Sequence, residues 1–251
     1  MNTYNPHIPA KCTVTGTSAV EAESRAESLV RLLQFGDSMF PIGGFSFSSG
    51  LESAVQKGVV TNATTLHEFT RTAVEQAARG DGIALIAAHR AATASDVGEL
   101  MRIDEMVYVR KLSEETRAMS VRMGKKFTEM GVHVLGAPLL RTWQDCIRKT
   151  LSPGCYPVAL AINFAVQNLP ERHAFAAHQY GAAAPILGAA LRLMKVSHVD
   201  TQKILYDLSG QIEASYERAA TARLSDMSGY APLTEILAAV HTKAHVRLFM
   251  N

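Results

Sequence analysis

Apolar residues in this chain recur at three- and four-residue spacing and nowhere alternate convincingly, which confines it to helices packed on helices. The first run shows the pattern: Leu29, Val30, Leu32, Leu33 and Phe35 make one stripe, with Glu27, Arg31 and Gln34 off it, ending before Gly36-Asp37-Ser38. Glycine, proline and capping residues divide the rest of the chain. A short helix is expected from about Gly50 to Lys57, closed by Gly58. The N-cap candidates in Thr61-Asn62-Ala63-Thr64 open a second one through Ala78, with Leu66, Phe69, Ala73 and Ala77 as its buried stripe. Further helices fit Ile83 to Ala94, Asp96 to Lys111, Ser113 to Met130 and Leu139 to Thr150. After Leu151 to Pro157 come an apolar helix to Gln167, an Ala-rich one from Glu171 to Met194, one from Asp200 to Arg223 and a last one from Leu233 to His245. Pro185 and Gly188 predict a kink in the Ala-rich helix. The fold class is all-α: a single compact multi-helix domain over residues 25–251, ending in a C-terminal tail. Residues 1–24, with Pro6, Pro9 and a Thr/Ser-rich stretch, read as a mobile N-terminal arm.

Composition removes several classes of function. A chain of 251 residues that is 47% hydrophobic and 19% charged buries a full core and needs no disulfide staple. Its net charge of +2, without a block of one sign, lacks the footprint of a nucleic-acid binder. Cys12, Cys146 and Cys155 are odd in number and include no Cys-x-x-Cys pair, which points to a reducing, cytoplasmic setting. No apolar run reaches signal-peptide or membrane-span length, so no membrane partner is expected.

The search for chemistry is mostly negative. A phosphate loop is absent, because five residues separate Gly44 from Gly50 where that motif has four, and Leu51 stands where lysine should. Gly-x-Ser-x-Gly is absent too, and the Gly44 to Gly50 stretch lacks the strand-to-helix context of a nucleophilic serine. His241 and His245 are four apart and His173 and His178 five apart, but two histidines underfill the usual four-ligand site, and no metal or other cofactor is expected. The charged face of Glu114, Glu115, Arg117, Arg122, Lys125, Lys126 and Glu129 reads as solvated, with Glu114 and Arg117 at pairing distance.

Two segments resist a purely structural reading. Met39 to Gly50 carries Phe40, Phe45 and Phe47 among Pro41, Gly43, Gly44 and serines, so it is either ordinary core or a loop whose glycines let a partner approach the backbone. Arg247, between Val246 and Leu248-Phe249, is either a frayed end or an anchor of the kind that dominates interfaces.

The stretch from Leu32 to Glu52, LLQFGDSMFPIGGFSFSSGLE, resembles the signature of the UreF family of urease accessory proteins. Glu115-Thr-Arg117, Tyr156-Pro157, Lys195 followed by Gln202-Lys-Ile-Leu205, and Arg247-Leu-Phe249 agree in order, so the resemblance runs from about residue 27 to the end. It implies an all-α scaffold rather than an enzyme, one that binds UreD (also called UreH), recruits and regulates the GTPase UreG, and so serves nickel insertion into apo-urease. Carried onto this chain, Phe40, Pro41, Gly43, Gly44, Phe45, Ser46, Gly50 and Glu52 belong to the UreD-facing surface that receives the tail of Arg247, Leu248 and Phe249. Phe45 stands where the family often has tyrosine, which removes a hydroxyl acceptor for Arg247. Lys195 and Arg117 fall on the implied UreG-facing surface, and Tyr180 on a homodimer interface. Ser197-His198-Val199-Asp200 departs from the family's usual turn, which alters a cap. Two other classes stay open: an all-α enzyme using His173, His178 or Glu115 in a helix-lined pocket, and a direct nickel carrier using His241 and His245. Exposed apolar patches are expected on the isolated chain.

Overall fold

The computed structural model describes residues 17–44 and 47–229, together with Ala231, Ile236, Leu248 and Phe249. Of the expected arm, residues 1–16 lie outside the described residues and 17–24 are helical backbone, so the first helix starts inside it. The elements are α1 (Thr17–Gly36), α2 (Leu51–Gln56), α3 (Ala63–Arg79), α4 (Asp81–Thr93), α5 (Val97–Arg110), α6 (Glu114–Leu135), α7 (Pro138–Arg148), α8 (Tyr156–Ala165), α9 (Glu171–Leu193), α10 (His198–Ser209) and α11 (Ile212–Thr221). No strand occurs among the described residues, and the fold is all-α.

Helix α8 is the axis of the molecule. Its residues from Pro157 to Ala165 are all buried, as a helix apolar on every side requires, and α4 and α6 pack along it. A buried carboxylate fixes where α8 begins. Asp104 of α5 accepts hydrogen bonds from Ser152 Oγ at 2.6 Å, Gly154 N–H at 2.6 Å and Cys155 N–H at 2.8 Å, pinning the turn that precedes the helix. On the other side α6 crosses so closely that a Cβ on Gly124 would lie 2.1 Å from the Gly154 carbonyl oxygen, and one on Gly131 1.9 Å from Asn163 Oδ1. This contact explains why α6 does not stop near Gly131, where the sequence predicts its end. That glycine serves a helix crossing, and the helix closes at Gly136, whose φ of 62° is the left-handed C-cap.

Two further expectations are corrected. The single helix expected from Asp200 to Arg223 is two, α10 and α11, parted at Gly210. The first of them opens at Ser197, whose side chain accepts from Asp200 N–H while the Asp200 carboxylate accepts from Ser197 N–H. The apolar stripe of α1 is also only partly buried: Phe35 and Leu32 reach the core, whereas Leu29, Val30 and Leu33 face solvent because α1 packs chiefly on α9. Ser113 does precede α6 as expected, although its side chain makes no cap hydrogen bond. Helix α9 runs through Pro185. The expected helix from Leu233 to His245 lies outside the described residues apart from Ile236, which is helical.

Among the described residues the core has two apolar clusters. The larger surrounds α8; the smaller joins Leu51 and Ala54 of α2, Leu66 and Phe69 of α3, Ile186 and Ala190 of α9, and Ile204 and Leu208 of α10. Phe249 completes the smaller cluster.

Candidate partner-binding site

The loop between α1 and α2 owes its shape to what its aromatics reach. Phe40 is buried, with its ring centroid 5.1 Å from that of Phe35 and 5.1 Å from that of Phe127 on α6. It therefore holds the loop from beneath, while Pro41 beside it is exposed. Gly43 at φ 82° and Gly50 at φ 82° occupy the left-handed region, where glycine is at no disadvantage. Gly44 lies over Met123, and Phe47 and Ser48 are buried. Phe45 and Ser46 lie outside the described residues.

Gly50 leads into α2, and the second residue of that helix is the unusual one. Glu52 is a carboxylate with 1% of its surface exposed, in a place where an unpaired charge would cost several kcal/mol. Its two oxygens are used by the far end of the chain: Oε1 accepts from Leu248 N–H at 2.9 Å and Oε2 from Phe249 N–H at 3.1 Å. The Phe249 ring enters the smaller apolar cluster, with the Arg192 guanidinium 5.7 Å from its centroid. Leu248 remains 68% exposed. The structure thus brings together Glu52, Leu248 and Phe249, whereas Phe40 packs in the larger cluster; Arg247 lies outside the described residues. Arg192 is the contributor that sequence reasoning missed, since nothing in its local pattern distinguishes it from a solvated basic residue in the last turn of α9.

Behind the loop is a cavity of about 210 Å³. Gly44, Phe47 and Ser49 form one wall, and Ala73 and Ala77, expected as core, line it from α3. Its polar end holds Asp81 paired to Lys111 at 2.7 Å, together with Tyr156 and His178. Burial pushes the His178 imidazole down to about 4, so it is neutral at pH 7. Burial also raises the Tyr156 hydroxyl, which stays protonated. No group of three or more histidine, cysteine, aspartate or glutamate side chains able to hold a metal ion occurs among the described residues. His241 and His245 are outside them.

The remaining sequence-selected residues lie apart from this assembly. Lys195 is exposed in the turn from α9 to α10. Arg117, near the start of α6, sets its guanidinium 5.9 Å from the Tyr108 ring centroid instead of pairing with Glu114. Tyr180 is at the surface of α9, near where Ala177 meets Gly36 of α1.

The model of the UreF family matches residues 60–209. The chain belongs to the UreF family of urease accessory proteins. It is 52% identical over 239 residues to urease accessory protein UreF 2 of Brucella canis, covering 95% of this chain and 98% of that protein. With urease accessory protein UreF of Yersinia enterocolitica it shares 48% identity over 226 residues, covering 90% of this chain and 99% of the relative. A UreF protein has a role in urease maturation.

Proposed function

We propose that this chain is a non-catalytic scaffold that binds UreD (UreH), recruits and regulates the GTPase UreG, and so supports nickel insertion into apo-urease. The observation that carries the reading is the seating of Leu248 and Phe249 on Glu52, which lies two residues past the Gly50 that ends the loop of Pro41, Gly43 and Gly44. A scaffold acts through differential binding. If the UreF–UreD pair holds the GTP and nickel state of UreG more tightly than the GDP state, hydrolysis is coupled to release of the metal. Lys195 and Arg117 would face UreG, and Tyr180 would pair two copies of the chain.

Exposed apolar side chains support a chain meant to be covered. Leu29, Val30, Leu33 and Met39 lie at or beside α1, and Leu248 on the seated tail adds to them. The test is co-purification of the full chain, and of a chain lacking residues 242–251, with cognate UreD and UreG. Capture of UreD by the full chain and its loss on tail removal is the expected result. A folded full-length chain that retains neither protein refutes the reading.

An enzyme remains the second reading, on the strength of the cavity beside His178. A neutral imidazole with so low a proton affinity is a weak base and cannot serve as an acid at pH 7. That reading requires turnover by the chain without UreG, and His178→Gln would abolish it.

A further inference from the structure

The cavity behind the loop lies between α3, α6 and α9, and its walls are of contrasting kinds. Small residues, Ala73 and Ala77 on α3 and Gly181 and Ala182 on α9, leave space that larger side chains would close. Met119 and Met123 on α6 add two flexible thioethers, which adapt to an irregular occupant and favour the edge of an aromatic ring. At about 210 Å³ the space exceeds the roughly 150 Å³ in which an apolar cavity holds benzene, and falls short of the about 300 Å³ where sites for drug-sized molecules begin.

The polar end supplies hydrogen bonds without net charge. Asp81 accepts from Lys111 Nζ at 2.7 and 3.0 Å, so the two charged side chains among the described lining residues cancel. His178 has 5% of its surface exposed, and its Nδ1 accepts from Gln179 Nε2 at 3.3 Å. The proton of the neutral ring is therefore on Nε2, which has no hydrogen-bond partner among the described residues. Tyr156 stacks on that ring with centroids 6.3 Å apart, and its hydroxyl also lacks a partner among the described residues. An unmade donor in a buried place costs free energy, which a ligand's polar atom recovers. A charged ligand, by contrast, would lose its hydration and meet no countercharge that is not already paired.

We propose that this cavity is a binding site for a small uncharged molecule of one aromatic ring bearing one hydrogen-bonding substituent, with the ring against Met119 and Met123 and the substituent on His178 Nε2. A phenol is the simplest member of that class. Gly44, Phe47 and Ser49 form one wall, so the occupant also holds the loop between α1 and α2 in its described conformation. The site binds without turnover and stands apart from the scaffold reading, so failure of UreD capture leaves it untouched.

The test titrates the full-length chain at pH 7 with 4-fluorophenol, followed by fluorine NMR line width. Saturable binding with a Kd of about 1 mM or below is expected. Fluorobenzene, which lacks the hydroxyl, and 4-fluorobenzoate, which is charged, should each bind at least about tenfold more weakly. Two substitutions locate the ligand. Gly181→Ala puts a methyl 3.7 Å from Tyr156 Oη and within 4 Å of no other described atom outside its own stretch of helix, so it covers the polar end without disturbing the fold. Ala77→Leu fills the space from α3. Each should weaken binding at least about fivefold while far-ultraviolet circular dichroism stays unchanged. Absence of saturable binding, equal affinity for 4-fluorophenol and either comparison molecule, or affinity retained by both variants overturns the inference.

Discussion

Gly124→Ala should be among the most damaging single-methyl additions available to this fold. The new Cβ would stand 2.1 Å from the Gly154 carbonyl oxygen, 2.5 Å from the Cys155 carbonyl carbon and 2.7 Å from Tyr156 N, all backbone. Reaching ordinary contact at 3.4 Å from 2.1 Å means moving that turn by at least about 1.3 Å, and Asp104 holds the turn with three hydrogen bonds of 2.6 to 2.8 Å. Overpacking costs about 1–3 kcal/mol. Loosening hydrogen bonds to a buried carboxylate adds about 1–3 kcal/mol. Alanine regains about 1 kcal/mol of helix propensity over glycine. The net is a loss near 3 kcal/mol, a large share of the roughly 5–15 kcal/mol a domain possesses. Gly188→Ala on α9 is the internal control, because a Cβ there meets nothing within 4 Å and should stabilise by about 0.5–1 kcal/mol. Urea unfolding followed by circular dichroism measures both. A loss under about 1 kcal/mol at Gly124, or a comparable loss at Gly188, would refute the close-crossing argument.

Stability should also fall with acid in a window set by His178. The unfolded imidazole takes its proton near pH 6.5 and the folded one only at about 4, so between these values the unfolded state binds more protons and up to about 3 kcal/mol is lost as pH drops. Urea midpoints from pH 7 to 4 should flatten in His178→Gln, and an unchanged slope would count against the assignment. Lys195→Glu should leave UreD capture intact while reducing UreG retention at least tenfold in the same co-purification; equal retention removes Lys195 from that surface. Tyr180→Glu should convert a dimer to a monomer in light scattering, and an unchanged mass would place the self-association face elsewhere.

Legible in the sequence is whatever local chemistry decides. Asn62 announces α3 because its side chain accepts from Thr65 N–H at 3.0 Å, and the glycine and proline breaks separate most helices near their observed ends. Gly131 misleads because a glycine that ends a helix and one that admits a neighbouring helix look the same in one dimension. Only Asn163, 32 positions later, tells them apart. The exposure of Leu29 and Leu33 likewise depends on how few neighbours α1 acquires. At the candidate site, family resemblance marks the residues from Phe40 to Glu52 and the tail. The part each plays requires the fold, since a carboxylate's use of N–H groups 196 and 197 positions away leaves no local trace.

That separation has a meaning in time as well as in space. The seat for the tail is encoded by α2, α3, α9 and α10, which emerge before residue 248 is made. At about 5–20 residues per second, synthesis takes roughly 10–40 s to pass from Glu52 to Leu248. The cluster is assembled late in that interval, once α9 and α10 have joined α2 and α3, and Phe249 is the last of its described side chains to be made.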